Sequence, residues 1–283
     1  MKLSLHTKRP ARTATIAIAS AAAGMALAVP GLAVATNSGQ NVPAPPANPT
    51  SASQIQNIDQ VKTAIKGYYG DTTTSTVDPV PNNIDGGDVA LHTFNPDGAY
   101  AHEVEGIAAT AGKYLANHAK HTAGKAILFD VDDTTLNTYN YEIYSNFVFN
   151  PTTNAAFVNA AAFPAVPGMV DLEKQAIAEG YTVFFLTGRP EAQRPGTETN
   201  LTNVGYDITS ANVYLKDETQ PWITCDTEGD KVCTTTERKS ETRAHIESLG
   251  YDIVANFGDQ FSDLNGGFAD RTYKIPNPMY FLP

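Results

Sequence analysis

An apolar run that ends in two aspartates places the strongest constraint on this chain. Residues 125–129 read Lys-Ala-Ile-Leu-Phe, and residues 130–134 continue as Asp-Val-Asp-Asp-Thr. Such a run predicts a buried strand that presents Asp130 and Asp132 at the carboxyl edge of a sheet, where open α/β sheets bind ligands. Two close carboxylates repel each other unless a cation lies between them, and Mg²⁺ is the usual cation for oxygen ligands. Asp-rich strand ends also form plain metal sites or solvated turns, so the other motifs must decide.

The first 35 residues have the pattern of a secretory signal rather than of a folded segment. Four basic residues precede an uncharged, Ala-rich stretch over residues 13–29, and Ala33-Val34-Ala35 fits an A-x-A cleavage site. A membrane anchor is the alternative, but the stretch is shorter than the roughly 20 residues that span a bilayer. The sequence therefore predicts a secreted protein with a signal peptide over residues 1–35 and no stable membrane insertion after cleavage.

The charge of the remaining chain limits its partners. Without residues 1–35 the chain keeps 15 Lys or Arg and 30 Asp or Glu, a net charge of −15. Nucleic acids and anionic membranes select basic surfaces, so neither is an expected partner. The Pro-rich residues 36–54 predict a flexible linker. Residues 55–283 are enough for one sizeable core and form the expected single domain.

The chain contains two cysteines, Cys225 and Cys233, which lie eight positions apart in a polar segment. In an exported chain this spacing predicts one local disulfide that closes a short loop. A metal site is the alternative, but further Cys or His ligands are missing nearby. The role of this loop stays open at the level of sequence.

Three times the chain follows a helix-like segment with Gly-Tyr and then a short apolar run, at Gly180, Gly205 and Gly250. A glycine just past a helix supplies the left-handed cap, and short apolar runs predict strands that are buried on both faces. Alternating helices and strands predict an α/β fold, a Rossmann-like parallel sheet with helices on both faces. Its strands should start near residues 125, 181, 212, 252 and 271.

One interval is too long for a simple crossover. Asp130 and Thr187 are 57 positions apart, whereas a βαβ unit needs roughly 30 residues. The surplus, about residues 138–164, is rich in Tyr and Phe and predicts a small, mainly helical cap inserted after the first motif strand. Its aromatic side chains could line a pocket for an apolar leaving group or pack the cap onto the core. Residues 97–121 and 54–66 are expected to form helices beside the sheet.

The later strand ends carry other polar groups. Thr187, Gly188 and Arg189 follow one strand, and a hydroxyl with backbone N–H groups at a strand-to-helix turn is a natural phosphate ligand. Asp259 and Asp263 follow another strand and form a second carboxylate pair. Lys239, which precedes that strand, is a candidate cation for this edge, although by itself it would read as a surface lysine.

Taken in order, these motifs resemble the haloacid dehalogenase (HAD) superfamily of phosphohydrolases. Three stretches make the resemblance more specific within that superfamily: 184–191 (Phe-Phe-Leu-Thr-Gly-Arg-Pro-Glu), 258–264 (Gly-Asp-Gln-Phe-Ser-Asp-Leu) and 275–280 (Ile-Pro-Asn-Pro-Met-Tyr). With Lys239-Ser240 and Arg243 they are similar to the class IIIB acid phosphatases and the plant vegetative storage proteins. The resemblance covers about residues 55–283.

The resemblance implies a role for each motif residue. Asp130 would be the nucleophile, and Asp132 would protonate the leaving alcohol, deprotonate water and bind Mg²⁺ through its backbone carbonyl. Thr187, with Gly188, would hold a phosphoryl oxygen, and Lys239 would neutralise the phosphoryl charge. Asp130 and Asp259 would bind Mg²⁺, and Asp263 would assist through water or through Lys239. Arg189 would either touch the substrate or anchor the turn.

The expected function is therefore an exported, Mg²⁺-dependent acid phosphatase that hydrolyses small phosphomonoesters through an aspartyl-phosphate intermediate. A catalytically weak storage or binding protein of the same fold is one alternative, although Asp130 and the other motif residues are all present. A phosphotransferase is the second, and it would need a cap that excludes water. Natural substrate, pH optimum and oligomeric state are not assigned by the sequence.

Overall fold

A computed structural model describes residues 49–77, 79–80, 90–119, 123–225 and 233–282. The predicted signal peptide, linker residues 36–48 and the interior of the loop between the cysteines lie outside this part. The described chain contains eight α-helices and seven strands. Their bounds are α1 Ile58–Tyr69, β1 Thr72–Val77, β2 Ala90–Thr93, α2 Ala99–His118, β3 Lys125–Phe129, α3 Tyr139–Tyr144, α4 Pro151–Asn159, α5 Met169–Ala178, β4 Thr182–Pro190, α6 Arg194–Val204, β5 Val213–Lys216, α7 Thr235–Ser248, β6 Asp252–Gly258, α8 Phe261–Leu264 and β7 Thr272–Lys274.

Five of the strands form one parallel sheet in the order β5-β4-β3-β6-β7. The predicted parallel α/β sheet is confirmed, and its strands begin within one residue of the expected starts. β3 lies in the centre, where Phe129 pairs with Phe185 of β4 and with Phe257 of β6. Phe129, Phe185 and Phe257 therefore lie level, and the residues that follow them meet at one edge of the sheet.

The two faces of the sheet bury different side chains because successive residues of a strand point to opposite sides. Ile127 and Phe129 of β3 belong to the larger apolar cluster, together with residues of α1, α2 and α5. Ala126 and Leu128 face the other way and pack with Ile246 of α7. The sheet is thus covered by helices on both faces, as predicted.

Local sequence explains where several helices begin and end. Thr234 and Glu237 form a capping box at the start of α7, in which the Thr234 hydroxyl accepts from the Glu237 amide and the Glu237 carboxylate accepts from the Thr234 amide. The glycines that follow α5, α6 and α7 have φ values of 90°, 109° and 97°, the left-handed conformation that the three Gly-Tyr motifs predict. No helix of the described residues is both long and apolar enough to cross a lipid bilayer.

The segment over residues 138–164 contains α3 and α4. Five of its aromatic residues are at most 1% exposed and belong to the large core cluster: Tyr139, Tyr141, Tyr144, Phe157 and Phe163. Of the two interpretations of the aromatic side chains, packing onto the core is therefore the one that the structure supports for these five. Phe149, by contrast, is 69% exposed. A cap function of the segment stays a prediction.

Two features near the start of the domain differ from the expectation. The first helix runs from Ile58 to Tyr69, because Asn57 accepts hydrogen bonds from the amides of Asp59 and Gln60 and so caps the helix later than residue 54. β1 and β2 form a separate two-stranded antiparallel sheet, which the sequence patterns do not predict. β1 consists largely of Thr and Ser and lacks the apolar run by which the other strands were found.

Candidate active site

One ammonium group joins two of the predicted site carboxylates. Lys239 on α7 donates from Nζ to Asp130 Oδ1 at 2.5 Å and to Asp263 Oδ1 at 2.6 Å. The three side chains are at most 7% exposed. Charge-assisted hydrogen bonds of this length are among the strongest in proteins. They explain why Lys239 lies in the interior rather than on the surface.

Two opposing effects act on the pKa of Lys239. Burial disfavours its charge, but Asp130 and Asp263 outweigh burial and raise the pKa of Lys239 above its ordinary value. Burial raises the pKa of Asp130 to about 7, with Lys239 opposing this rise and Asp263 adding to it. Lys239 thus compensates only part of the negative charge that gathers at this edge.

Three carboxylates form a cluster that fits a divalent cation. One oxygen each of Asp130, Asp259 and Asp263 lies within 4.8 Å of the others. Burial, followed by repulsion from Asp263 and Asp130, raises the pKa of Asp259 well above its usual range. A cation between these groups would relieve that repulsion, and an all-oxygen set suits Mg²⁺. The residues present therefore fit the ion that the motifs predict.

The end of β6 has no room for a side chain at Gly258. A Cβ on Gly258, at the end of β6, would lie 2.4 Å from Cβ and 2.8 Å from Oδ2 of Asp263. Only glycine leaves room for Asp263 to fold back over the strand end. In that position Asp263 also accepts a hydrogen bond from the Gln260 amide at 2.8 Å, which fixes its second oxygen.

The C-terminal segment orients the third carboxylate. Asn277 Nδ2 donates to Asp259 Oδ2 at 2.6 Å, and Gln260 Nε2 donates to the same oxygen at 2.7 Å. No described residue donates to Asp259 Oδ1, so that oxygen is the one available to a cation. Asn277 lies in the stretch 275–280 that supports the family resemblance, but no role for it is predicted from the motif.

The Asp132 carboxylate contacts Arg189, whereas the Asp130 carboxylate contacts Lys239. Its carboxylate accepts from Arg189 in a bidentate contact, from Nε to Oδ2 at 3.0 Å and from Nη2 to Oδ1 at 2.7 Å. Arg189 Nη1 donates to Thr197 at 3.1 Å, and the guanidinium lies 5.4 Å from the centre of the Phe163 ring. The Asp132 side chain remains 29% exposed, so it is the site carboxylate that solvent and a leaving group can reach.

Asp133, which was not singled out as a site residue, anchors the turn after β3. It has a φ of 54°, a conformation that Asp and Asn adopt more readily than most residues. Its carboxylate accepts from the Thr138 hydroxyl at 2.5 Å and from the Tyr280 hydroxyl at 2.8 Å. Burial raises the pKa of Asp133 to about 6, although the hydrogen bonds from Thr138 oppose this rise. The turn that carries Asp130 and Asp132 is therefore held to the C-terminal segment.

Thr187 and Gly188 lie in the carboxyl-terminal half of β4, the strand next to the one that precedes Asp130. Thr187 is buried, and its hydroxyl accepts from the Arg189 amide at 3.1 Å. Nothing lies within 4 Å of a Cβ placed on Gly188, so the backbone there faces open space. That arrangement leaves room for a ligand, and phosphoryl binding by these two residues stays a prediction.

The structure brings together most of the predicted site residues and separates one. Asp130, Asp259, Asp263 and Lys239 form a single cluster, as the shared sheet edge requires. The Asp132 carboxylate pairs with Arg189 instead, so the predicted metal contact of Asp132 rests on its backbone carbonyl alone. The donors of Arg189 are directed to Asp132 and Thr197, and the two roles expected for it, contact with the substrate or anchoring of the turn, stay predictions.

Glu142 of α3 is a further buried carboxyl group that the sequence did not reveal. Its side chain is 6% exposed, and no described residue donates a hydrogen bond to it. Burial, followed by the charges of Asp133 and Asp132, raises its pKa to about 8. An acidic residue in an aromatic helix gives no signal of its own, because its burial depends on where the helix docks.

Comparisons with known proteins identify the family. The model of the HAD superfamily, subfamily IIIB (acid phosphatase), matches residues 91–283, which is more than half of the chain. Acid phosphatase 1 of Solanum lycopersicum is 32% identical over 188 residues, covering 65% of this chain and 69% of the tomato protein. Vegetative storage protein 1 of Arabidopsis thaliana is 28% identical over 161 residues and covers 55% of each chain. The class C acid phosphatase of Bacillus anthracis is similar in structure, with a TM-score of 0.49 and 23% identity over 64% of this chain and 80% of its own.

The parallel sheet and its carboxylate edge are those of a Rossmann-like α/β protein of the HAD type. The chain belongs to the HAD superfamily, subfamily IIIB acid phosphatases. The predicted resemblance is confirmed, and by class the protein is a phosphatase.

Proposed function

We propose that the protein is an exported, Mg²⁺-dependent acid phosphatase that hydrolyses small phosphomonoesters through an aspartyl phosphate on Asp130. The observation that carries the proposal is the position of Lys239, whose ammonium group bridges Asp130 and Asp263. Phosphoryl transfer depends mainly on positioning and on neutralised charge, and both are supported at this edge.

In the first step an oxygen of Asp130 attacks phosphorus, and the bond from phosphorus to the leaving oxygen breaks. Asp132 gives its proton to that oxygen, so the product leaves as an alcohol. In the second step Asp132 takes a proton from water, the water oxygen attacks phosphorus, and the bond to Asp130 breaks. Inorganic phosphate is released, and both aspartates return to their starting forms.

The remaining residues support these steps by position and charge. Lys239 keeps Asp130 available as a nucleophile and attracts the phosphoryl oxygens, while Thr187 and the backbone at Gly188 bind another of those oxygens. Asp130, Asp259, Asp263 and the Asp132 carbonyl would hold Mg²⁺, which, when bound, neutralises negative charge on the carboxylates and the phosphoryl group. Arg189 keeps the Asp132 carboxyl group oriented toward the accessible side of the site.

The proposal extends to the layout of the chain. Residues 1–35 act as a signal peptide, residues 36–54 as a linker and residues 55–283 as the phosphatase domain, with residues 138–164 as its small cap. The basic and Ala-rich start and the disulfide between Cys225 and Cys233 support export.

The test uses the mature protein, residues 36–283, with an aryl phosphate between pH 4 and 8. Hydrolysis should require Mg²⁺, stop on addition of a chelator and fall by at least about 10³-fold in Asp130→Asn. Asp130→Asn should keep the thermal stability of the wild type or exceed it, because it removes one carboxylate from a crowded cluster. Near-normal turnover by this variant would contradict the assignment of the nucleophile. A folded wild type that hydrolyses no phosphomonoester would favour a storage or binding role.

A further inference from the structure

A cavity of about 150 Å³ lies beside the proposed phosphate site. Thr187 belongs to its lining, so the cavity adjoins the first residue of the proposed phosphoryl-binding motif. The outer wall of the cavity comes from the segment 217–223, which follows β5 and leads into Cys225. This segment has no part in the mechanism above.

The outer wall is fastened to α7 by several independent contacts. Glu241 accepts hydrogen bonds from the Thr224 amide at 2.6 Å, the Thr224 hydroxyl at 2.9 Å and the Cys225 amide at 3.1 Å. His245 stacks on Trp222 with ring centres 3.7 Å apart. The disulfide from Cys225 to Cys233 then ties the segment to the start of α7. A loop held by so many contacts is preorganised, and such rigidity favours ligand binding.

The residues of α7 that hold this wall form one stripe of the helix. Arg238, Glu241, Thr242 and His245 are spaced as i, i+3, i+4 and i+7, so they lie on one face. Lys239 is the next residue along the helix and points to Asp130. α7 therefore positions the catalytic cluster and the cavity wall at the same time.

The charges around the cavity favour an uncharged ligand. Its charged lining residues are two acids and two arginines, Glu191, Asp217, Arg194 and Arg238. Arg194 Nη2 donates to Glu191 at 2.9 Å, and Arg238 Nη1 donates to Glu218 at 3.0 Å. Since these positive charges are compensated, a second phosphate or another anion would find no excess of cation here.

Two aromatic residues set the shape of the cavity. Tyr214 and Trp222 both line it, and their rings meet edge to face at 6.0 Å. A cavity of about 150 Å³ holds one ring of the size of benzene. Small-molecule sites combine such apolar walls with a few polar groups, here supplied by side chains such as Gln220 and Ser210.

We propose that this cavity is a leaving-group subsite that receives the neutral aromatic ring of an aryl or aryl-like phosphomonoester, with Trp222 and Tyr214 as its specificity-determining residues. The inference rests on the proposed phosphatase function and specifies its substrate class. On this proposal the disulfide between Cys225 and Cys233 keeps the outer wall of the subsite in place.

The kinetic test compares phenyl phosphate with glycerol 1-phosphate. In Trp222→Ala the ratio of kcat/KM for the aryl over the alkyl substrate should fall about tenfold, and Trp222→Phe should restore most of it. Phe149→Ala is the matched control, because it removes an exposed aromatic side chain of the predicted cap and should leave the ratio unchanged. An unchanged ratio in Trp222→Ala, or an equal fall in Phe149→Ala, would overturn the proposal.

A binding test separates failure of this inference from failure of the proposed function. Trp222 is the only tryptophan of the chain, so tryptophan emission of the wild-type protein reports on this wall alone. Titration with phenol should change that emission saturably, whereas glycerol should not, even if no phosphomonoester is hydrolysed. Normal turnover of both substrates without a saturable response to phenol would overturn the subsite and leave the phosphatase function intact.

Discussion

Arg189 and Asp132 form a bidentate pair across the carboxyl edge of the sheet, with Nη2 of the arginine 2.7 Å from Oδ1 of the aspartate. Asp132 follows β3 and Arg189 lies near the end of β4, so two adjacent strands present the two groups to each other. Thr197 and Phe163 hold the guanidinium from behind. The proposed proton carrier is therefore oriented by a residue that is itself fixed.

This arrangement predicts a fall in kcat, with little change in KM, when Arg189 is replaced by Met. The Asp132 carboxyl group would lose its two donors, and misplacement of a reacting group by about 1 Å can cost about 10²-fold in rate. The kcat of Arg189→Lys should lie between those of the wild type and of Arg189→Met, because lysine keeps the positive charge but not the planar pair of donors. Steady-state kinetics with an aryl phosphate and a melting curve for each variant provide the measurement. A rise in KM at constant kcat would show instead that Arg189 binds the substrate.

The carboxylate cluster predicts that Mg²⁺ stabilises the protein. Binding at a hundred times the dissociation constant contributes about 2.7 kcal/mol, which corresponds to a rise in Tm of about 5–10 °C for a domain of this size. Asp259→Asn should weaken this response and, in chelator, should melt higher than the wild type because it removes one buried like charge. Asn277→Ala should weaken the response less, because it only frees Asp259 Oδ2 from a donor at 2.6 Å. A Tm of the wild type that does not depend on Mg²⁺ would contradict the cation site.

The features of the site differ in how well they can be predicted from the sequence. The sheet and its edge were predictable, because each strand is a short apolar run and each motif follows such a run directly. The expectation that Lys239 serves as a cation at this edge followed from the family resemblance, whereas its hydrogen bonds to Asp130 and Asp263 came from the structure. The bidentate contact of Arg189 was not predictable, because it depends on the rotamers of two side chains from different strands.

The C-terminal segment and the cavity wall show the same limit. The sequence marked residues 275–280 as a family motif, but the contacts of Asn277 with Asp259 and of Tyr280 with Asp133 need the chain to return across the site. Trp222 stood in a polar segment without periodicity. Its role depends on His245, which lies 23 positions later on α7. Short apolar patterns predict elements, whereas contacts between distant loops come from the way those elements dock.

Glu142 predicts a distinct dependence of stability on pH. Its pKa is raised from 4.5 in the unfolded chain to about 8 in the folded protein by burial and by Asp133 and Asp132. Between these values the folded state binds more protons than the unfolded state, so stability falls as pH rises from about 4.5 to 8. The resulting loss of folding free energy reaches at most about 4 kcal/mol at pH 8, and there is no such loss below pH 4.5.

The measurement is the Tm of the wild type and of Glu142→Gln in chelator at pH 5 and pH 8. The variant should gain stability over the wild type at pH 8 and little at pH 5, because glutamine has no charge to bury. Glu105→Gln, at an exposed position of α2, is the matched control and should show no such difference. Equal effects of Glu142→Gln at both pH values would refute the buried carboxyl group as their source.

The disulfide between Cys225 and Cys233 is present in the structure, as the sequence predicts. In the chain-entropy account a loop of this length stabilises the fold by roughly 2–3 kcal/mol. Replacing both cysteines by serine should therefore lower Tm by about 4–10 °C, while turnover of glycerol 1-phosphate should persist because neither cysteine contacts the carboxylate cluster. Reductant should produce the same fall in the wild type and none in the double variant. If the disulfide also maintains the cavity wall, the double variant should lose part of its preference for phenyl phosphate, whereas a loss of stability with full retention of that preference would limit the bond to a structural role.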